Sequence, residues 1–109
     1  MNTRVKGRNS EKEYAQILTN EGCLVEIVKG STKFNKSVDF FGVADLIVLD
    51  KANIKLIQVK SNSTSGAVKK LKEWYLSNKS KLPPNLILEV AVRKDGKSSL
   101  DRWRVIKIN

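Results

Sequence analysis

Apolar positions recur along the chain in two periods, and the switches between the periods mark the elements. After Ser10, Tyr14, Ala15 and Leu18 fall on one face at roughly 100° per residue, as a helix packed on one side requires. Ser10 stands where an N-cap belongs, and Glu13 where it would complete a capping box. That helix runs to about Asn20 or Glu21, and Gly22 supplies its stop. Cys23 to Lys29 reads as a strand, and Gly30 to Lys36 as a polar, basic loop. Ser37 to Val43 fits neither period, with Gly42 marking a bend or bulge. Asp45 to Asp50 is a strand that is apolar on both faces apart from its ends, the pattern of a strand central in a sheet. Lys51-Ala52-Asn53 makes a turn into a further strand, Ile54 to Lys60, and Ser61 to Ser65 is a loop. Gly66 to about Asn78 is a second helix, with Val68, Leu71, Trp74 and Tyr75 on its buried side and Lys69, Lys70, Lys72 and Lys79 largely elsewhere. Pro83-Pro84 ends the linker. Strands at Leu86 to Val92 and Arg102 to Ile108 flank a turn signal, Lys94-Asp95-Gly96-Lys97.

The order is therefore α-β-β-β-α-β-β. The first three strands suit an antiparallel meander. The second helix then crosses over and returns the chain parallel, with right-handed sense expected. The expected fold class is α/β, a mixed five-stranded sheet flanked by helices, and 109 residues fit a single domain. Residues 1–8, carrying Arg4, Lys6 and Arg8, read as a flexible basic arm before a domain spanning 9–109. Such an arm is either a solvated terminus or a follower of phosphates.

Composition narrows the chemistry. Lys and Arg total 21 against 11 for Asp and Glu, a formal charge of +10. An excess of this size favours nucleic acid as partner, then an acidic protein or a membrane surface. The chain has no histidine, which excludes His-dependent general base catalysis and imidazole-ligated zinc. With one cysteine there is neither an internal disulfide nor a thiolate cluster, and Cys23 reads as buried and inert. No apolar run approaches the roughly 18 residues of a membrane span, and the polar first eight residues are no secretory signal. A soluble intracellular protein, in cytoplasm or nucleoid and not on a membrane, is the expectation.

Two polar residues, Gln58 and Lys60, interrupt the third strand and project from the same face. Asp45 opens the strand before it, so Asp45 and Gln58 can meet on paired strands near one sheet end. Glu11 falls in the middle of the first helix's apolar face, where a carboxylate is costly unless it is paired or binds metal. Glu13 falls on the opposite side. Two or three oxygen donors and one cation can thus converge, which suits phosphodiester hydrolysis. A hard cation takes oxygen ligands, lowers the pKa of bound water, and a neighbouring lysine stabilises transition-state charge. Plainer roles stand beside these. Asp45 can cap a loop, Gln58 and Lys60 can line a solvated edge, and Glu11 can favour the helix dipole. Asp39 is an auxiliary acid or a turn residue. Lys33 and Lys36 are singly solvated charges but collectively a phosphate-binding surface. Trp74 and Trp103 suit core or dimer contacts better than base stacking.

On these residues the chain resembles the PD-(D/E)XK nuclease superfamily, and within it the archaeal-type Holliday junction resolvases and related small virus and phage nucleases. The likeness rests on Gly7-Arg8-Asn9-Ser10-Glu11, Ala44-Asp45-Leu46-Ile47 and Gln58-Val59-Lys60-Ser61, and on the αβββαβ restriction-endonuclease-like core. It covers about Gly7 to Trp74 well and implies that residues 9–109 form a nuclease-like domain. It further implies a Mg²⁺-dependent endodeoxyribonuclease, with Mn²⁺ as substitute, leaving 5′-phosphate and 3′-hydroxyl ends. Asp45 would be the central metal ligand, Lys60 the catalytic lysine, Glu11 a direct or water-mediated ligand, and the Val59 backbone carbonyl would complete the site. Gly30-Ser31 matches a segment placed near the scissile phosphate, so Ser31 joins Arg4, Lys6, Arg8, Lys33 and Lys36 as a DNA contact. The implied assembly is a homodimer acting on four-way junctions in DNA recombination. Two positions depart from the pattern. Ala44 replaces proline, and Gln58 replaces the acid of (D/E)XK, leaving a metal site with two carboxylates instead of three. That loss keeps a second function open: a nucleic-acid-binding module on the same fold with weak or absent catalysis.

Overall fold

The computed structural model describes residues 3–28, 44–63, 66–94 and 102–109, with side chains from residue 9 onward. The elements follow in the expected order: α1 (Thr3–Asn20), β1 (Leu24–Ile27), β2 (Leu46–Leu49), β3 (Ile54–Ser61), α2 (Ala67–Asn78), β4 (Leu86–Arg93) and β5 (Trp103–Lys107). One sheet holds the strands in the order β1-β2-β3-β4-β5. β1, β2 and β3 form the antiparallel meander. β3 and β4 are parallel over eight residue pairs, from Ile54↔Leu86 to Ser61↔Arg93. β5 returns antiparallel to β4, which makes the sheet mixed. β3, not β2, is the central strand. β2 lies second from the edge, and its Leu49 is exposed despite the continuous apolar run.

Alternation along β3 sorts the core. Leu56 faces α2 and packs with Ala67, Leu71, Leu86, Leu88, Val90 and Val92. Ile57 and Val59 face α1 and pack with Tyr14, Leu18, Leu46, Val48 and Ala91. Burial of each large side chain here, Leu71 or Leu88 for instance, contributes about 1.5–3 kcal/mol. Gln58 and Lys60 therefore belong to the α2 face, and Ser61 to the α1 face.

Three local features fix how the elements join. Asp50 Oδ1 accepts the backbone N–H groups of Ala52 and Asn53 at 2.8 and 2.6 Å, which builds the β2–β3 turn. Those two bonds hold its carboxyl below the ordinary carboxylate value. Gly66 begins α2 from a left-handed backbone (φ 81°), which a Cβ would strain. At the chain's end, the Asn109 amide imitates a peptide unit: its Oδ1 accepts Leu88 N–H and its Nδ2 donates to Leu86 O, lengthening the β4–β5 ladder.

The first helix differs from the expectation. It begins at Thr3, so the stretch expected as a separate arm is, from Thr3 on, the opening turns of α1. Ser10 is no cap but an interior helical residue, only 1% exposed. The cap signature loses because the hydroxyl finds a tertiary partner and no proline precedes it to stop the helix. Glu13 is likewise no capping-box partner. It receives Arg102 Nε at 2.8 Å and Trp103 Nε1 at 2.6 Å, with Arg102 Nη2 on its other oxygen, and so bolts α1 to the start of β5. Cys23 is half-buried, not buried.

Candidate active site at one end of the sheet

Antiparallel pairing brings the start of β2 beside the later part of β3, with Leu46 opposite Ile57. Parallel pairing brings the C-terminal end of β4 there too. α2 opens a few residues after β3 closes, so its N-terminus lies at the same end. α1 joins them because Ser10 Oγ lies 3.1 Å from Ser61 Oγ. Asp45, Gln58 and Lys60 sit at this common end, with Glu11 next to Ser10 on α1.

Asp45 is held from both sides before its side chain is considered. Its N–H donates to Ile57 O at 2.8 Å, and its C=O accepts Val28 N–H at 2.9 Å. Its backbone forms a bend between Ala44 and β2, which leaves the carboxylate free to turn across β3. There Oδ2 accepts Gln58 Nε2 at 3.0 Å and Val59 N–H at 2.9 Å. Both Asp45 and Gln58 are only 9% exposed. A buried carboxylate oxygen receiving two N–H groups is stabilised by charge-assisted hydrogen bonds. The geometry answers why Gln58 interrupts an apolar strand: it is the side-chain donor to a buried acid.

Lys60 follows two residues later on the same face and is half-buried, beside the Asp45–Gln58 pair. Glu11 is half-buried and adjacent to Ser10 on α1, so it stands at this sheet end from the α1 side. The backbone group of Val59 that touches Asp45 is its N–H, not its carbonyl. Arg4, Lys6 and Arg8 lie on the part of α1 that precedes Ser10. At 1.5 Å per residue those turns extend up to roughly 10 Å past Ser10, beyond the end of β3. Ser31, Lys33, Lys36 and Asp39 lie outside the described residues, as does the turn at 95–97.

The donors fit a hard divalent cation in kind: a carboxylate and an amide carbonyl, both oxygen. They are few in charge. Among the described residues, no group of three or more His, Cys, Asp or Glu side chains could hold a metal. Gln58 also turns its nitrogen to Asp45, so ligation through Oε1 requires the amide to rotate and give up that bond.

Sequence reasoning missed Ser10, Ser61 and Arg93 as a unit. Arg93 Nη1 donates to Ser10 Oγ at 3.2 Å, directly across from Ser61. Two signals mark it: a serine on the apolar side of α1, and a strand whose apolar run ends on arginine.

The fold is shared with a solved structure. The chain is similar to the Holliday junction resolvase Hjc of the archaeal hyperthermophile Archaeoglobus fulgidus, with a TM-score of 0.62 and 17% identity over 94% of this chain and 77% of the other. At that identity the likeness establishes the α/β fold. No protein-family model matches the chain, and no curated protein does. Among the described residues, no helix is long and apolar enough to cross a membrane.

Proposed function

We propose that this protein is a metal-dependent DNA endonuclease that hydrolyses phosphodiester bonds in branched DNA, four-way junctions foremost, as a homodimer. The observation that carries the reading is the buried Asp45–Gln58 pair next to Lys60, at the sheet end where α1 and α2 both present their N-terminal turns. The shared fold with a resolvase supports it. Asp45 and Gln58 Oε1 would hold Mg²⁺, or Mn²⁺ in its place, with Glu11 reaching it directly or through water. When bound, such an ion supplies an acidified water and neutralises phosphate oxygens. Lys60 orients the attacking water or stabilises charge on the transition state. The N-terminal turns of α1, with Arg4, Lys6 and Arg8, hold flanking phosphates, and Ser31, Lys33 and Lys36 would add contacts.

One observation favours a second reading, a nucleic-acid-binding module without cleavage. The Gln58 amide already satisfies Asp45 without any cation. A single assay separates the two: a labelled four-way junction and its matching linear duplex, incubated with Mg²⁺, Mn²⁺ or EDTA, beside Asp45→Asn. Paired symmetric nicks confined to the junction, lost with EDTA and in the variant, are expected of the resolvase. Cutting of duplex or flaps retains the nuclease and removes the junction preference. Tight binding with no cut in either metal leaves the binding module.

A further inference from the structure

The C-terminal ends of β3 and β4 carry a second polar assembly, on the opposite face of the sheet from Lys60. Ser10 is 1% exposed, yet it carries a hydroxyl where alanine would pack. That hydroxyl accepts Arg93 Nη1 at 3.2 Å and lies 3.1 Å from Ser61 Oγ. The strands are also tied just beyond. Asn62, in a left-handed conformation at φ 66°, donates its N–H to Arg93 O at 2.6 Å, and Lys94 Nζ donates to Asn62 O at 3.1 Å. A non-glycine residue at positive φ is held there by its surroundings. Here those surroundings fix where Arg93 and Lys94 leave the sheet.

Lys60 pairs with Val92, so Arg93 is one residue further along the neighbouring strand. With strands 4.8 Å apart and a rise of 3.3 Å per residue, their Cα atoms are about 6 Å apart. Their side chains leave on opposite faces of the sheet, so the two cations stand further apart than their Cα atoms, one on each side of the same sheet end. Lys60 faces the α2 side and Arg93 the α1 side, so a polynucleotide strand crossing the sheet end would pass both in succession. A guanidinium oriented by a hydroxyl suits a phosphate diester better than a mobile ammonium does, because its fork can bond two oxygens at once.

We propose that Arg93, oriented by Ser10 and seconded by Lys94, binds a backbone phosphate that flanks the one Asp45 and Lys60 address. This rests on the nuclease reading only in taking nucleic acid as the ligand. It adds a phosphate subsite on the α1 face of the sheet end.

The test is binding of the full chain to a labelled four-way junction in EDTA, where nothing is cut, over a salt series. Arg93→Gln keeps a donor for Ser10 and removes the charge. It is expected to weaken binding about 10-fold and to reduce the slope of log K against log salt by about 1. Arg93→Lys is expected to keep the slope while losing affinity. Ser10→Ala is expected to weaken binding with the slope retained, since it disturbs orientation and not charge. Melting curves on all variants accompany the titrations. A folded Arg93→Gln with wild-type affinity and slope overturns the subsite. So does an Arg93→Gln that loses melting temperature alone, because Arg93 would then only clamp α1 to β4. A wild type that binds no DNA at low salt overturns the nuclease reading, and the subsite with it, a result distinct from either of those.

Discussion

Gln58 sets an amide against a buried carboxylate, and what an acid would do in its place can be followed atom by atom. A carboxylate there would face Asp45 Oδ2 at the distance where Nε2 now donates, 3.0 Å. Two buried acceptors at that distance need a proton or a cation between them. The amide removes the need, so Asp45 Oδ2 is satisfied without metal, and a cation that takes Gln58 Oε1 must compete with that bond. Gln58→Glu is therefore expected to lose about 1–3 kcal/mol of stability without divalent ions, the cost of a buried acceptor without a donor. Mg²⁺ should then restore it, because a ligand that binds only the folded state stabilises by mass action. Melting curves of both proteins with and without Mg²⁺ measure this. At roughly 4–8 °C per kcal/mol for a domain of this length, the Mg²⁺ shift in the variant should stand well clear of the wild-type shift. Equal shifts would mean that the Asp45–Gln58 contact plays no part in cation binding.

At the scale of elements, α1 is the part whose sequence reads least directly. Its register on the sheet is set by groups distant along the chain. Ser10 meets Ser61 and Arg93, and Glu13 meets Arg102 and Trp103. Neither partnership leaves a local trace, so the same residues imitate a capping box, and the helix start is misplaced by several residues. The strands were legible for the converse reason. Their signals are local: β2 and β3, for instance, are apolar runs joined by their own turn chemistry, Asp50 over Ala52 and Asn53. The Asp45–Gln58 contact was legible because a short turn fixes the register of two adjacent strands. Gln58's role as donor was not, since it depends on which way the amide turns. The packing of α1 has its own consequence at alkaline pH. Tyr14 is buried with its ring 4.6 Å from Trp103, and burial, then the nearby Glu89, push its phenol up to about 12 from 10.0. Below pH 10 the phenol is protonated in both states and its contribution is intact. As pH rises from 10 toward 12 only the unfolded chain releases the proton, so stability falls, by about 2–3 kcal/mol once both states are ionised. Denaturant unfolding followed across that range should show the decline in wild type and a shallower one in Tyr14→Phe. Parallel curves would place the alkaline loss elsewhere.

The whole molecule has two unlike ends. One gathers the start of β2, the closing residues of β3 and β4, and the N-terminal turns of both helices. Lys60, Arg93 and Lys94 lie there, with the helix positions of Arg4, Lys6 and Arg8 reaching past it. The other end holds the Asp50 turn and the start of β3. The 3-10 turn Lys79–Lys81 that follows α2 also lies there, where charges are exposed and, among the described residues, no buried acid stands beside them. A net +10 spread evenly would make every lysine equivalent toward a polyanion; this layout does not. If nucleic acid lies across the first end, charge removed there must register in counterion release, and charge removed at the far end must not. A triple variant, Arg4→Gln with Lys6→Gln and Arg8→Gln, is expected to weaken junction binding and to lower the log K–log salt slope by up to about 3. Lys79→Gln with Lys81→Gln is expected to leave both within error, since those residues stand a full helix away from Gly66. Equal losses from the two variants would mean that the polyanion binds without orientation. The sheet end would then be a buried polar pair of structural use, and the positive charge a matter of general affinity.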